Sequence, residues 1–166
     1  MQTYSTKYFG EITVDKDDDE ILIETKTDIT GKEHEISITI QDIKRRYKRI
    51  KTCIKVLDNY IKVYAAGKYL IEKEYNKGNG MKEFFQGIFG KYDEALLEEA
   101  LGAKSIEELN IQNFLQNIEP PSISIELKNR KVKIFLLYSV NEKMQEIMVM
   151  EVDKKLRMKQ ASYYEI

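Results

Sequence analysis

Residues 41–66 read QDIKRRYKRIKTCIKVLDNYIKVYAA. Ile43, Tyr47, Ile50, Ile54, Leu57, Ile61 and Tyr64 recur at alternating intervals of four and three, which places one apolar stripe along a helix. Asp42 stands where an N-cap carboxylate accepts an orphan backbone N–H of the first turn, and Gly67 marks a weak point near the other end. One residue on from the stripe runs a second line: Lys44, Lys48, Lys51, Lys55 and Lys62. The spacing predicts a helix with an apolar seam and a basic flank. Strand-like segments lie on both sides of it in the sequence, so the economical arrangement is a sheet with this helix laid across it.

Upstream, Tyr8–Val14 reads as a first strand with a bulge or close approach at Gly10. Asp15–Glu20 is a charged turn, Ile21–Thr25 a second strand, and 28–32 a turn in which Gly31 is free to take positive φ. Glu33–Ile40 alternates, with Ile36, Ile38 and Ile40 set against Glu35, Ser37 and Thr39. Short connections leave no room for crossovers, so these strands predict an antiparallel meander of three. Downstream, helical character continues over Lys68–Tyr75, breaks at 76–80 and resumes over Met81–Phe89. Asp93 caps Glu94–Leu101, which Gly102 stops. Ser105 and Glu108 match a capping box for a helix over Ile106–Asn117, ended by Pro120 and Pro121.

The last third returns to strand. Ile123, Ile125 and Leu127 alternate with polar residues, Asn129 and Arg130 make a tight turn, and Val132–Val140 runs back. Ile147–Met150 is a continuous apolar run, as in a strand covered on both faces. A turn at Asp153–Lys155 leads into Leu156–Ser162. Six or seven strands, three N-terminal and three or four C-terminal, with an intervening helical block packed on one face, predict one α+β domain over 1–166 with an antiparallel sheet.

Composition narrows the function. The 166 residues carry 27 Lys and Arg against 28 Asp and Glu, a formal net charge of −1, without the basic excess of a dedicated nucleic-acid binder. The polar start at Gln2–Ser5 argues against a signal peptide, and no stretch approaches the roughly 20 apolar residues of a membrane span. The reading is a soluble, cytoplasmic chain in a reducing compartment. A single cysteine, Cys53, forms no internal disulfide and is expected as a buried, inert thiol on the central helix.

Three short stretches resemble a known group. Tyr8-Phe9-Gly10-Glu11-Ile12 resembles the F-G-x-I opening of a group of small bacterial domains of uncharacterised function. Leu136–Val140, a short acidic loop and Glu146–Asp153 resemble the end of the same group, and Leu57-Asp58-Asn59-Tyr60 is similar to the leucine–aspartate element of its central helix. Relatives in this broad class look like immunity proteins, intracellular inhibitors that neutralise polymorphic or contact-delivered bacterial toxins. The resemblance implies a binding protein without catalysis whose partner is a cognate toxin domain. The chain departs from the group at Leu137-Tyr138, where an acidic residue is usual, and in its ending, Tyr163-Tyr164-Glu165-Ile166.

Candidate chemistry is sparse, and the reading assigns no catalytic residue, metal ligand or cofactor. His34, the only histidine, is expected as an exposed strand-edge residue between Glu33 and Glu35. One His and one Cys are too few for a zinc site of four N or S ligands. Asp15, Asp17 and Asp19 match the first ligands of an EF-hand loop, but its sixth and twelfth positions, Gly and Glu, are Glu20 and Lys26 here. No phosphate-cradling glycine loop and no Gly-x-Ser-x-Gly elbow occurs.

Two charged patches remain as partner-binding candidates. One is the basic helix rim with Lys44, Arg45, Lys48, Lys51 and Lys55; the other is the acidic turn with Asp17, Asp18, Asp19 and Glu20. Each also reads as a plain solvated surface, the cations lying along a docked helix with their stems buried. As docking surfaces they suit a protein partner. The alternatives are a nucleic-acid module using 44–55 with Tyr47 stacking, and a small enzyme using carboxylates such as Asp58 or Glu151.

Overall fold

The computed structural model describes residues 1–29, 31–78, 80–128 and 131–165, and of Arg45 the backbone alone. The turn expected at Asn129 and Arg130 lies outside the described residues. The elements run β1 (Gln2–Thr6), β2 (Gly10–Val14), β3 (Glu20–Asp28), β4 (Glu33–Gln41), α1 (Ile43–Arg46), a 3-10 turn (Tyr47–Arg49), α2 (Ile50–Asp58) and α3 (Tyr60–Asn76). They continue with α4 (Gly80–Phe89), α5 (Glu94–Leu101), α6 (Ile111–Asn117), β5 (Ser122–Glu126), β6 (Lys133–Ser139), β7 (Glu146–Val152) and β8 (Met158–Glu165). The class is α+β, as expected. β3 to β8 form a six-stranded sheet in sequence order, and β1 and β2 form a separate hairpin.

Two features of the expected sheet are corrected. The N-terminal meander of three does not form, because the second strand of the chain pairs back on a strand at Gln2–Thr6 and not forward on β3. Tyr8 and Phe9, expected at the head of a strand, sit in the turn that reverses the chain. The Thr6 hydroxyl donates to the Gly10 carbonyl and accepts from the Phe9 N–H, and Gly10 takes φ +69°. The hairpin is then tied down from two sides. Thr27 Oγ1 donates to the Tyr8 carbonyl, and Asp58 Oδ1 accepts from the Lys7 N–H at 2.9 Å.

The sheet is also mixed where an antiparallel one was expected. β4 and β5 run parallel, with Ile38 opposite Ile123 and Ile40 opposite Ile125. A parallel neighbour requires a crossover, and the helices from α1 to α6 supply it.

Burial alternates along the strands. Ile36, Ile38 and Ile40 of β4, Ile134, Leu136 and Tyr138 of β6, and Met148 and Met150 of β7 are buried on the face that carries the helices. Ile147 and Val149 point the other way, beside Phe135 and Leu137 of β6, and are half-buried. The apolar run at 147–150 is thus covered fully on one face only within this chain.

The helix predicted over 41–66 is broken twice. Asp42 makes no side-chain cap and takes φ +62°, a conformation that a short polar residue tolerates as the chain swings out of β4. Arg46 leaves helical geometry at φ −138°, and Asn59 interrupts again at φ −101°, its amide donating to the Lys55 carbonyl. The second break rotates the stripe. Ile61 is 45% exposed, and the buried side of α3 is Tyr60, Val63, Tyr64, Leu70 and Ile71.

Gly67 lies inside α3 and not at a helix end. A Cβ built there would stand 1.7 Å from the Tyr138 hydroxyl, so the glycine is the slot into which the β6 tyrosine fits. The Tyr138 hydroxyl donates to the Tyr64 carbonyl at 3.1 Å. The Tyr64 and Tyr60 hydroxyls donate onward to the carbonyls of Ile118 and Pro121. Three buried phenols thereby fasten α3 to the sheet and to the segment entering β5, each satisfied as a buried polar group must be.

The later helices follow their caps. Asp93 accepts from the Leu96 N–H and Gly102 stops α5 at φ +67°, as expected. The capping box at Ser105 does not start a helix. Glu108 takes the Lys104 N–H, and α6 begins five residues later than expected, capped by the Asn110 side chain on the Asn113 N–H.

Glu146 at the start of β7 is 6% exposed and receives hydrogen bonds from Lys91 Nζ and Tyr92 Oη, both at 2.8 Å; Lys91 also reaches Glu165 of β8. Burial pushes the Glu146 carboxyl up, but the bonds from Lys91 and Tyr92 and the Lys91 charge outweigh it and hold the carboxyl below the ordinary glutamate value. A carboxylate so lowered adds stability above its unfolded-state value and loses it as pH falls through the folded one. Glu146→Gln is expected to cost about 1–3 kcal/mol near neutrality and less in acid, measured by urea unfolding from pH 7 to pH 3. Gly67→Ala should destabilise by about 1–3 kcal/mol although helix propensity alone favours alanine by about 1 kcal/mol. Combining it with Tyr138→Leu should cost clearly less than the sum of the two single changes; additivity would contradict the close approach.

Candidate functional site

The register explains where the charges gather. Gln41, the last residue of β4, lies opposite Glu126, the last of β5, and Glu126 lies opposite Lys133, the first of β6. Ile134 in turn lies opposite Val152 at the end of β7. The connections that leave β4, β5 and β7 therefore all start from one end of the sheet. Each carries cations: the start of the helical block, the approach to β6 and the β7–β8 turn.

They meet in an open groove of about 750 Å³. Arg49 comes from the 3-10 turn, Lys131 from the approach to β6, Lys133 from its first position, and Lys154, Lys155, Arg157 and Lys159 from the β7–β8 turn and β8. Seven cations face two carboxylates, Glu151 and Asp153. Lys133 pairs with Glu151 at 3.7 Å and Arg157 with Asp153 at 2.8 Å. Among the described residues the other five have no carboxylate within salt-bridge distance. An adjoining hollow shares Thr52, Lys154 and Lys155 and adds Lys55 and Lys62 from α2 and α3.

Asp153 shapes the turn that presents these groups. Its carboxylate accepts the backbone N–H of Lys155 and of Arg157 and the Arg157 Nε–H, at 2.8–3.0 Å. Burial pushes this carboxyl up, and the hydrogen bonds from Arg157 and Lys155 more than reverse it, holding it below the usual aspartate value. Leu156 closes the turn at φ +60°. Lys154 and Lys155, on this braced turn, are exposed.

The expected site residues divide. Lys55 lines the adjoining hollow, while Lys44, Lys48 and Lys51 are exposed and line neither. The Arg45 side chain lies outside the described residues. Asp17, Asp18, Asp19 and Glu20 lie at the same end of the sheet but on its far side, since Glu20 is opposite Gln41. That turn is largely occupied with itself. Asp18 Oδ2 accepts the Asp15 N–H, Asp15 Oδ1 accepts the Asp17 N–H, and Glu20 accepts from the Gln41 amide. Four inter-strand spacings of about 4.8 Å separate β3 from β7, so this end of the sheet runs from acidic to basic over roughly 20 Å.

The sequence reading missed Lys131, Lys133, Lys154, Lys155, Arg157 and Lys159. Their signal was visible as two cationic turns on adjacent hairpins, but its meaning depended on both turns lying at one end of one sheet.

The remaining candidates have other surroundings. Cys53 is fully buried, and burial pushes its thiol up to about 12. His34 is half-buried on β4 opposite Thr27, where an exposed edge position was expected. Asp58 holds the hairpin turn at Lys7, and Glu151 lies beside Lys133. Among the described residues no three His, Cys, Asp or Glu side chains gather so as to hold a metal ion, and no helix is long and apolar enough to cross a membrane.

Clustered cations over a low-dielectric wall attract anions more strongly than the net charge suggests. At pH 7.5 the chain, net negative, should bind a sulfonated cation-exchange resin in about 50 mM salt. Lys154→Glu/Lys155→Glu should move it to the flow-through with an unchanged melting temperature, whereas Lys44→Glu/Lys48→Glu should shift elution less. In comparisons with known proteins, the chain matches no protein-family model, no curated protein and no solved structure.

Proposed function

We propose that this chain is a non-catalytic binding protein of immunity type, which neutralises a bacterial toxin domain by docking an acidic surface of it into the basic groove. The observation that carries the reading is the convergence of seven cations against two carboxylates in a chain of net charge −1. Five of those cations have no carboxylate within salt-bridge distance among the described residues, and an acidic partner would supply one. The layout resemblance to immunity proteins supplies the class of partner, and the cytoplasm is where such an inhibitor would act. A stable complex of this kind buries about 1,200–2,000 Å², more than the groove alone, so its rims and the braced turn at Asp153 would be included.

Charge complementarity acts mainly on the rate of encounter. Coexpression with the product of a neighbouring gene carrying a variable C-terminal toxin domain should restore growth, and the two chains should co-purify. Lys154→Glu/Lys155→Glu should slow association by about tenfold or more at low salt, with little change in folding. Protection and association rate unaffected by the reversal would remove the groove from the reading; failure to bind any such neighbour would remove the immunity assignment. A phosphate backbone is the second reading that the same cations support. Its mark is binding to a random-sequence oligonucleotide that weakens steeply between about 50 and 200 mM salt.

A further inference from the structure

The basic groove runs into the free edge of the sheet. β8 is the last strand, paired with β7 on one side only, and among the described residues nothing bonds to the backbone of its other edge. From Gln160 to Glu165 its register is unbroken, opposite Glu151 to Glu146. An open edge of six regular residues is a template for another strand. At the start of this edge lies a trough of about 590 Å³, walled by α3 on one side and by 156–161 on the other. The trough shares Arg157 and Lys159 with the groove; α3 contributes Lys73 and Glu74, and Lys77 just beyond the helix pairs with Glu74.

Lys159 occupies a particular place in this edge. Gln160 pairs with Glu151 and Met158 with Val152, so Lys159 is the extra residue of a bulge. A bulge re-aims a side chain and, with a lysine in it, discourages indiscriminate strand pairing. Here the re-aimed ammonium lines both hollows. The edge is therefore open to a strand but selects by charge which strand it accepts.

We infer that an extended acidic segment of the partner adds to β8 as a seventh strand, its backbone on the open edge and its carboxylates between Lys159 and Lys73. This rests on the protein-binding reading above and specifies how the partner is held. Backbone bonds supply a sequence-tolerant grip and the flanking cations supply selection, the division seen in strand-addition complexes generally. A second β8 would be a poorer occupant. Its only carboxylates near the strand, Asp153 and Glu165, are already engaged by Arg157 and Lys91. The β3 edge of another copy, with Glu20, Glu24 and Asp28, is acidic, but pairing β3 to β8 joins two different surfaces and leads to an open chain of copies unless it closes.

The probe is an acetylated, amidated decapeptide of alternating Glu and Val, with the Gln–Val peptide as control. Fluorescence anisotropy in about 50 mM salt should show the acidic peptide binding at least about tenfold more tightly than the control, and Lys159→Glu/Lys73→Glu should abolish the difference. Amide hydrogen exchange of the complex should slow about tenfold or more at outward-facing amides within Gln160–Glu165. Binding without that protection would mean that the cations hold carboxylates with no strand added, and would overturn the inference, as would no binding. Sedimentation of the free chain should give a monomer; larger species with β8 protected would assign the edge to a second copy. Preference for an oligonucleotide with β8 unprotected would assign the groove to a phosphate backbone. A chain that protects against a toxin while β8 exchanges freely in that complex would sink this inference and leave the proposed function standing.

Discussion

The contact on which the rest of the molecule depends is the entry of the Tyr138 ring beneath Gly67. A helix laid on a sheet is ordinarily held off by the side chains of both. Here the helix has no side chain at the crossing, and the strand offers a phenol whose hydroxyl ends on the helix backbone at Tyr64. That closeness sets the height and rotation of α3 over β6. The Tyr60 and Tyr64 hydroxyls then reach the carbonyls of Pro121 and Ile118, so the same helix fixes where the crossover ends and β5 begins. The parallel pairing of β5 with β4 and the position of every later strand depend on that placement.

A parallel pair in an otherwise antiparallel sheet has a consequence for the surface. It makes the chain leave β4 and β5 at the same end, and two hairpin reversals later it leaves β7 there too. Turns are where solvated charge is cheapest to place. Three such connections at one end therefore make a charged end of the sheet almost unavoidable, and the choice of residue sets its sign. Acids occupy the β3 side, and bases occupy the β6–β8 side, where five of the seven groove cations have no carboxylate within salt-bridge distance among the described residues. The net charge of −1 records the sum of these and hides their separation.

The sequence showed the elements more clearly than their neighbours. Alternation at Glu33–Ile40, the cap at Asp93 and the stop at Gly102 are local signals, and they sit where the pattern put them. The failures came where a local signal had two meanings. Gly67 reads as a helix breaker by propensity, yet its reason for being there is a ring on a distant strand. Tyr8 and Phe9 have the composition of a strand and form a turn, because the polar segment Gln2–Thr6 was available to pair with Gly10–Val14. The stripe through Ile61 kept its period in the sequence but lost its face in the structure, since Asn59 resets the helix phase. The basic patch suffered most from this. Reading it along one helix favoured Lys44, Lys48 and Lys51, while the groove is assembled from three connections that only the strand order brings together.

Such a groove costs the fold something. Two like charges about 8 Å apart in water repel by on the order of 0.5 kcal/mol, and five groove cations have no carboxylate within salt-bridge distance among the described residues. The chain offsets part of this with Glu151 and Asp153, whose exposed pairs are each worth about 1 kcal/mol or less. It then commits the Asp153 carboxylate to two backbone N–H groups as well, so that acid is used to hold the turn in shape more than to neutralise it. A surface serving only solubility would intersperse acids among these bases, as the α5 face does when Glu99 meets Lys143. In this turn Asp153 is bound to the backbone and to Arg157, while Lys154 and Lys155 beside it have no carboxylate within salt-bridge distance among the described residues.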